Sequence, residues 1–165
     1  MRSIATAILL GVVSATASAG GIVNVTFVDP ERFTDAGDRS YQYSPNVLKQ
    51  LEEQFRSLGE RVLADGQLLT IDVTDVDLAG ELRPAPRRGG DWIRVVRGRA
   101  DWPRIALRYT LEANGQLVKR GEETLADLDY THNIPIYSTY QPLSWERLML
   151  EAWFKARFSP ASEPN

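Results

Sequence analysis

From Ile22 onward the chain alternates, with Val23, Val25 and Phe27 set against Ile22, Asn24, Thr26 and Val28. A period of two predicts a first strand. Asp29-Pro30 should end it, because proline has no amide to give to a ladder. The polar stretch 31–43, with Gly37, is expected to be a loop. At Ser44-Pro45 the period changes. Serine can cap free amides and proline is tolerated in a first helical turn. Val47, Leu48, Leu51, Phe55, Leu58 and Val62 then fall on one face at helical spacing, with Glu52, Glu53, Arg56 and Glu60 largely off it. Asp65-Gly66 is expected to close this helix.

Leu69, Ile71 and Val73 alternate again, facing away from Thr70, Asp72 and Thr74. Beyond them the apolar positions become Val76 and Leu78. A phase shift of one residue predicts a bulge near Thr74-Asp75 or a departure from the sheet. Residues 82–90, rich in proline, glycine and arginine, read as an irregular loop, and residues 91–96 as a short edge strand. Ile105, Leu107, Tyr109 and Leu111 mark a clear strand, Asn114-Gly115 a hairpin turn, and residues 116–125 a weaker returning strand. Gly121 in that strand suggests a bulge. A last helix starts near Ser144, with Trp145, Leu148, Met149, Ala152, Trp153 and Ala156 as its expected apolar face. The order strand, helix, strand, meander, helix predicts an α+β fold. It would have a single antiparallel or mixed sheet of four to five strands, with two helices packed on one face. A parallel first strand–helix–strand unit would be a right-handed crossover.

The first nineteen residues change the picture of where this fold works. Arg2 precedes an apolar run from Ile4 to Val13, and Ala17-Ser18-Ala19 forms a small-residue cleavage site before Gly20. This reads as a secretory signal peptide, too short for a stable membrane span. The expectation is one domain over residues 20–160, a disordered tail over 161–165, and a soluble location in the periplasm or outside the cell. No cysteine is present, so neither a disulfide nor a lipid anchor on cysteine is available, and packing must stabilise the fold. No further apolar run predicts a membrane span.

The net charge is −3, or −4 without Arg2, but it is unevenly spread. Eight arginines between Arg83 and Arg108 face only Asp91 and Asp101, which leaves that segment at +6 and the rest of the mature chain at −10. A basic block in an acidic protein is a candidate anion-binding surface, or one half of internal pairing. Arg83, Arg87, Arg88, Trp92 and Arg94 are the candidate binding residues. Arginine grips carboxylate and phosphate bidentately, and a flat indole adds a stacking surface. Arg104 and Arg108 are expected on the solvent face of a strand, paired across it with Glu112, Glu122 or Glu123.

The densest acidic stretch, 72–81, holds Asp72, Asp75, Asp77 and Glu81 among its acids. Asp75 and Asp77, two apart, would point the same way in an extended chain and could hold a hard cation. The calcium-loop pattern fails, since Ala79 occupies the fifth position and Pro86 the twelfth. A plainer reading is a strand end whose acids are solvated or paired with the arginines. His132 is the single histidine, so the usual zinc sites have too few ligands, and it reads as a solvated loop residue. No G-x-S-x-G, P-loop or dinucleotide glycine pattern occurs. Tyr130, Tyr137 and Tyr140 lie on the connection before the last helix and are expected to pack as a lid, with peptide or glycan contact as the other reading.

Five stretches, VTFVDPERFTD, TDVDLAGELRP, DWPRIALRY, GEETLADLDY and PLSWERLMLEAWF, together resemble the domain-of-unknown-function family 3016, small proteobacterial proteins carrying signal peptides. The resemblance spans nearly the whole mature chain and implies a single periplasmic domain. It carries over no activity, ligand or catalytic residue. The sequence therefore favours a non-enzymatic protein that binds an anionic envelope component or a protein partner, with no cofactor, metal or nucleic acid. Its alternatives are a carboxylate-dependent hydrolase using Asp75 and Asp77, and an accessory subunit that docks through an exposed strand or aromatic loop.

Overall fold

The alternation at the N-terminus produces strand β1 (Ile22–Phe27), which turns Val23 into the core at 2% exposure and leaves Ile22 outside. The computed structural model describes residues 20–35, 46–84, 92–98, 100–132 and 143–159, with the backbone alone at 81–84 and 92–93. Helix α1 (Asn46–Glu60) buries Val47, Leu51, Phe55 and Leu58, the stripe that the helical spacing predicts. It stops at Glu60 rather than at Asp65-Gly66. The amides of Val62 and Leu63 both turn back to the Gly59 carbonyl, and Leu63 drops into the core. Gly66, at φ 76°, then supplies the left-handed residue that leads into the next strand. The expected cap at Ser44-Pro45 lies outside the described residues.

Strand β2 (Gln67–Asp77) runs parallel to β1, and β5 (Arg104–Ala113) runs antiparallel to β2. The phase shift read in the sequence is a real bulge. The β2–β5 register slips between Val73 and Asp75, so Thr74 is the extra residue. Before it Leu69, Ile71 and Val73 face the core, and after it Val76 does, all at 0% exposure. Without the inserted residue every side chain beyond it would change faces. Asn114 and Gly115, both at positive φ (52° and 77°), turn the chain into β6 (Gln116–Ala126), as a two-residue hairpin with matching twist requires. The resulting mixed sheet has the order β1-β2-β5-β6.

Gly121 does not mark a bulge. It sits opposite Tyr109, whose ring lies against it, and a Cβ there would stand 2.8 Å from Tyr109 Cε1. The irregularity of β6 falls at Val118 instead, where the pairing passes from Lys119–Leu111 to Leu117–Glu112. Two strands also form outside the main sheet. β3 (Glu81–Pro84) pairs antiparallel with β4 (Trp92–Val95) in a separate ribbon. The start of the expected loop is thus a strand, with proline at its last position, and the expected edge strand joins this ribbon rather than the main sheet.

Helix α2 (Ser144–Phe158) exists where the sequence puts it, but its buried face is rotated. Glu146, Met149, Leu150, Trp153 and Phe154 point inward, whereas Ala152 and Ala156 are exposed. A carboxylate thus occupies the core stripe one turn before the apolar residues. Both helices share one core cluster with β2 and β5, and Phe55 of α1 meets Phe154 of α2 edge-on at 6.3 Å. Gly59 makes that approach feasible. A Cβ on it would lie 2.4 Å from Val23 Cγ2 and 3.2 Å from Phe154 Cε1. Gly→Ala inside a helix normally stabilises by about 1 kcal/mol. Gly59→Ala is expected to reverse that sign and destabilise by about 1–3 kcal/mol, as overpacking does. Urea denaturation of the two proteins checks it.

Candidate functional site

Core geometry brings one unusual polar cluster together where α2 begins. Glu146 is fully buried, at 0% exposure. Its Oε1 accepts the Ala79 amide at 2.9 Å and a guanidinium N–H of Arg94 at 3.2 Å, and Oε2 accepts from Arg94 at 3.4 Å. Ala79 closes the run that follows β2, and Arg94 belongs to β4. One carboxylate therefore ties the sheet, the ribbon and α2. Arg94 also lies over the Trp145 ring, 5.8 Å from its centroid. A buried charge of this kind is tolerable because it is both paired and hydrogen-bonded. Arg94 was a candidate for binding a ligand, and the structure turns it inward onto Glu146 instead.

A second carboxylate organises the same corner. Both oxygens of Asp101 accept the Arg97 amide at 2.9 Å, and Oδ1 accepts the Tyr130 hydroxyl at 2.7 Å. The Asp101 carbonyl receives the Gly80 amide at 3.1 Å. Tyr130 is buried at 1% exposure and meets Trp145 edge-on at 5.8 Å. Burial, then its hydrogen bond to Asp101, then the Asp101 charge, push the phenol well above its usual value of 10.0. The expected packing role of the tyrosine connection thus holds for Tyr130. Tyr137 and Tyr140 lie outside the described residues. His132 is exposed, and its ring Nδ1 lies 3.4 Å from Thr131 Oγ1.

The acidic stretch resolves residue by residue into structural partners. Asp75, just past the bulge, accepts both the amide and the hydroxyl of Thr34, at 2.7 and 2.9 Å. It clamps the segment after β1 onto β2, beside the Asp35 amide that donates to the Val76 carbonyl at 3.0 Å. Asp77 pairs with Arg104, and Asp72 with Arg108 at 3.8 Å on the open face of the sheet. Asp75 and Asp77 are held by different partners, Thr34 and Arg104, and no group of three or more histidine, cysteine, aspartate or glutamate side chains suited to a metal occurs among the described residues. Arg104 and Arg108 of β5 thus pair with acids of β2, rather than with Glu112, Glu122 or Glu123 as the sequence led one to expect.

Arg83 lies on β3 opposite Ile93, and Trp92 opens β4 opposite Pro84. Arg87 and Arg88 belong to the connection between those strands and lie outside the described residues. The ribbon and its connection, residues 81–95, carry four arginines against Glu81 and Asp91. A third cluster was not foreseen in the sequence. Glu123 of β6 accepts from Tyr109 Oη at 3.1 Å, Trp153 Nε1 at 3.2 Å and Arg157 Nε at 3.0 Å. Burial, followed by the hydrogen bond from its own hydroxyl to Glu123, raises the Tyr109 phenol as well. One sequence signal pointed to Glu146. Met149, Leu150, Trp153 and Phe154 form an apolar helical stripe whose extension one turn back falls on it.

These features define an α+β protein with a four-stranded mixed sheet, two covering helices and a separate arginine-bearing ribbon. No helix among the described residues is long and apolar enough to cross a membrane. The chain belongs to the family described as Protein of unknown function (DUF3016), whose pattern matches residues 21–156 and so takes in every element from β1 to all but the last turn of α2. No curated protein and no solved structure matches it.

Two outcomes follow from the cluster. Arg94→Met leaves the Glu146 charge buried without its cation and should cost about 3–5 kcal/mol, whereas Arg94→Met with Glu146→Gln, which removes the charge and keeps an acceptor for the Ala79 amide, should recover much of that loss. Denaturant midpoints of the two variants and wild type test this. The second outcome concerns alkali. The native state holds the Tyr130 and Tyr109 protons above the pH at which unfolded tyrosine loses them, so the folded chain binds more protons there. Stability from these groups is complete below about pH 10 and falls as pH rises further toward the folded values. Tyr130→Phe should flatten the decline in denaturation midpoint between pH 9 and 11, both values set by the ordinary phenol range of about 10.

Proposed function

We propose that this protein is a non-enzymatic binding protein of the periplasm or cell exterior, and that its ribbon contacts an anionic envelope component. The observation that carries the reading is the division of labour among the arginines. Arg94, Arg104 and Arg108 are spent on Glu146, Asp77 and Asp72. Arg83 stands on β3 of a two-stranded ribbon that is separate from the main sheet, and Arg87 and Arg88 follow it in the sequence between the two strands. Arg94 and Glu146 fix the base of that ribbon to the core. A rigid base with a cationic connecting segment is a sound design for gripping phosphate or carboxylate groups, because the anchor limits the entropy lost on binding.

The leader-like N-terminus supports a location outside the cytoplasm. The roles of the acids support binding over hydrolysis. Asp75 is engaged by Thr34 and Asp77 by Arg104, so the pair proposed for carboxylate chemistry has structural work. The test uses the chain from Gly20 with vesicles of anionic or neutral phospholipid and with lipopolysaccharide, at low and moderate salt. Binding to the anionic material alone, weakened by salt as exposed charge contacts are, and lost in Arg83→Ala/Arg87→Ala/Arg88→Ala, is the expected result. Equal binding by the triple variant removes the ribbon as the site.

A further inference from the structure

The long free edge of the sheet is self-complementary. β6 pairs with β5 on one side, and among the described residues no strand pairs with its other side. An edge of this length is a template for another strand. It also exposes two apolar side chains, Leu117 at 57% and Val118 at 61%. Edge charges usually block such pairing, but here their order favours one arrangement. Arg120 and Glu122 are both exposed and lie on the face of the sheet opposite the helices, level with Thr110 and Arg108.

We propose that a second copy of this chain pairs with β6, antiparallel and two-fold symmetric about Gly121, to form one continuous eight-stranded sheet. In that register Arg120 of each copy lies directly opposite Glu122 of the other. The row that runs Asp72, Arg108, Glu122 across one copy, with Asp72 and Arg108 3.8 Å apart, then continues into Arg120 of the second copy. Charge alternates along the whole row. Shifting the symmetry point by one residue either way sets Arg120 against Arg120 or Glu122 against Glu122, which cross-strand repulsion disfavours. The charge pattern thus selects a register as well as a partner.

Regular pairing in this register extends from Lys119 to Glu123; the bulge at Val118 ends it, and Leu117, opposite Glu112, lies on the same open face as Arg120 and Glu122. At the axis Gly121 has no side chain, and the space beside it is already filled from within by Tyr109. An isologous contact of this kind closes on itself and does not propagate into fibres.

Sedimentation velocity on the chain from Gly20, over a hundredfold range of concentration, should show a monomer passing to a dimer. Amide hydrogen exchange at the dimeric end should slow in β6 and leave β1 unchanged. Arg120→Glu and Glu122→Arg should each weaken association by roughly tenfold or more, and the double swap should restore it, because it exchanges the charges without removing the pairing. Val118→Lys offers an independent break at an exposed position, with circular dichroism to confirm the fold of every variant. A wild-type chain that stays monomeric throughout overturns the proposal. So does a dimer whose β6 amides are unprotected, or one that ignores the single swaps. Binding of anionic vesicles by the ribbon is a separate readout, so failure of either idea leaves the other standing.

Discussion

The carboxylate of Glu146 is the constraint on which the arrangement of parts depends. An ionised group without water must find donors within its reach, and here the donors come from two places distant from it in the chain. The Ala79 amide fixes the end of the β2 run, Arg94 fixes the ribbon, and the helix that bears Glu146 is held at its first turn. The same requirement sets the rotation of α2. With Glu146 turned inward, Met149, Leu150, Trp153 and Phe154 follow it onto the core side by the periodicity of the helix. The ribbon can then stand outside the sheet without being loose at its base.

Other carboxylates repeat this logic in weaker surroundings. Asp75 holds Thr34 through two hydrogen bonds, so the segment after β1 follows the bulge in β2. Asp101 gathers Arg97, Tyr130 and, through its backbone, Gly80. Glu123 joins β5, β6 and the last turns of α2 through Tyr109, Trp153 and Arg157. The surface pair of Asp72 and Arg108 differs in kind. Both partners are well exposed, and such pairs contribute under about 1 kcal/mol. Its value lies in ordering charge along the open face, which bears on what may approach the edge at β6.

Without a cysteine, the chain has no disulfide, and polar ties buried at the seams between elements join its core packing in holding the fold. Burial strengthens each such hydrogen bond and raises the cost of leaving it unmade. The seams are therefore rigid, and the regions left for contact are those away from them, namely the ribbon and the long outer strand. The proposed ligand surface and the proposed self-pairing edge therefore belong to different elements.

The sequence alone determined the elements whose signals are local. Two alternating runs and one helical stripe marked β1, α1 and β5, and Asn114-Gly115 marked the hairpin, because periodicity and turn chemistry act over a few residues. The parity change after Val73 revealed the bulge for the same reason. Membership in the family was legible too, since its stretches lie in order along the chain. The tertiary structure alone decided what each charged residue was for. Arg94 and Arg104 look alike in the sequence, yet one is drawn inward onto Glu146, 52 residues away in the chain, while the other pairs with Asp77 at the surface. Gly121 looked like a bulge until Tyr109 was placed against it. Trp145 and Ala152 looked like core until a buried carboxylate turned the helix. Partners distant in sequence set these roles, and no local pattern encodes the position of a partner that only folding brings into contact.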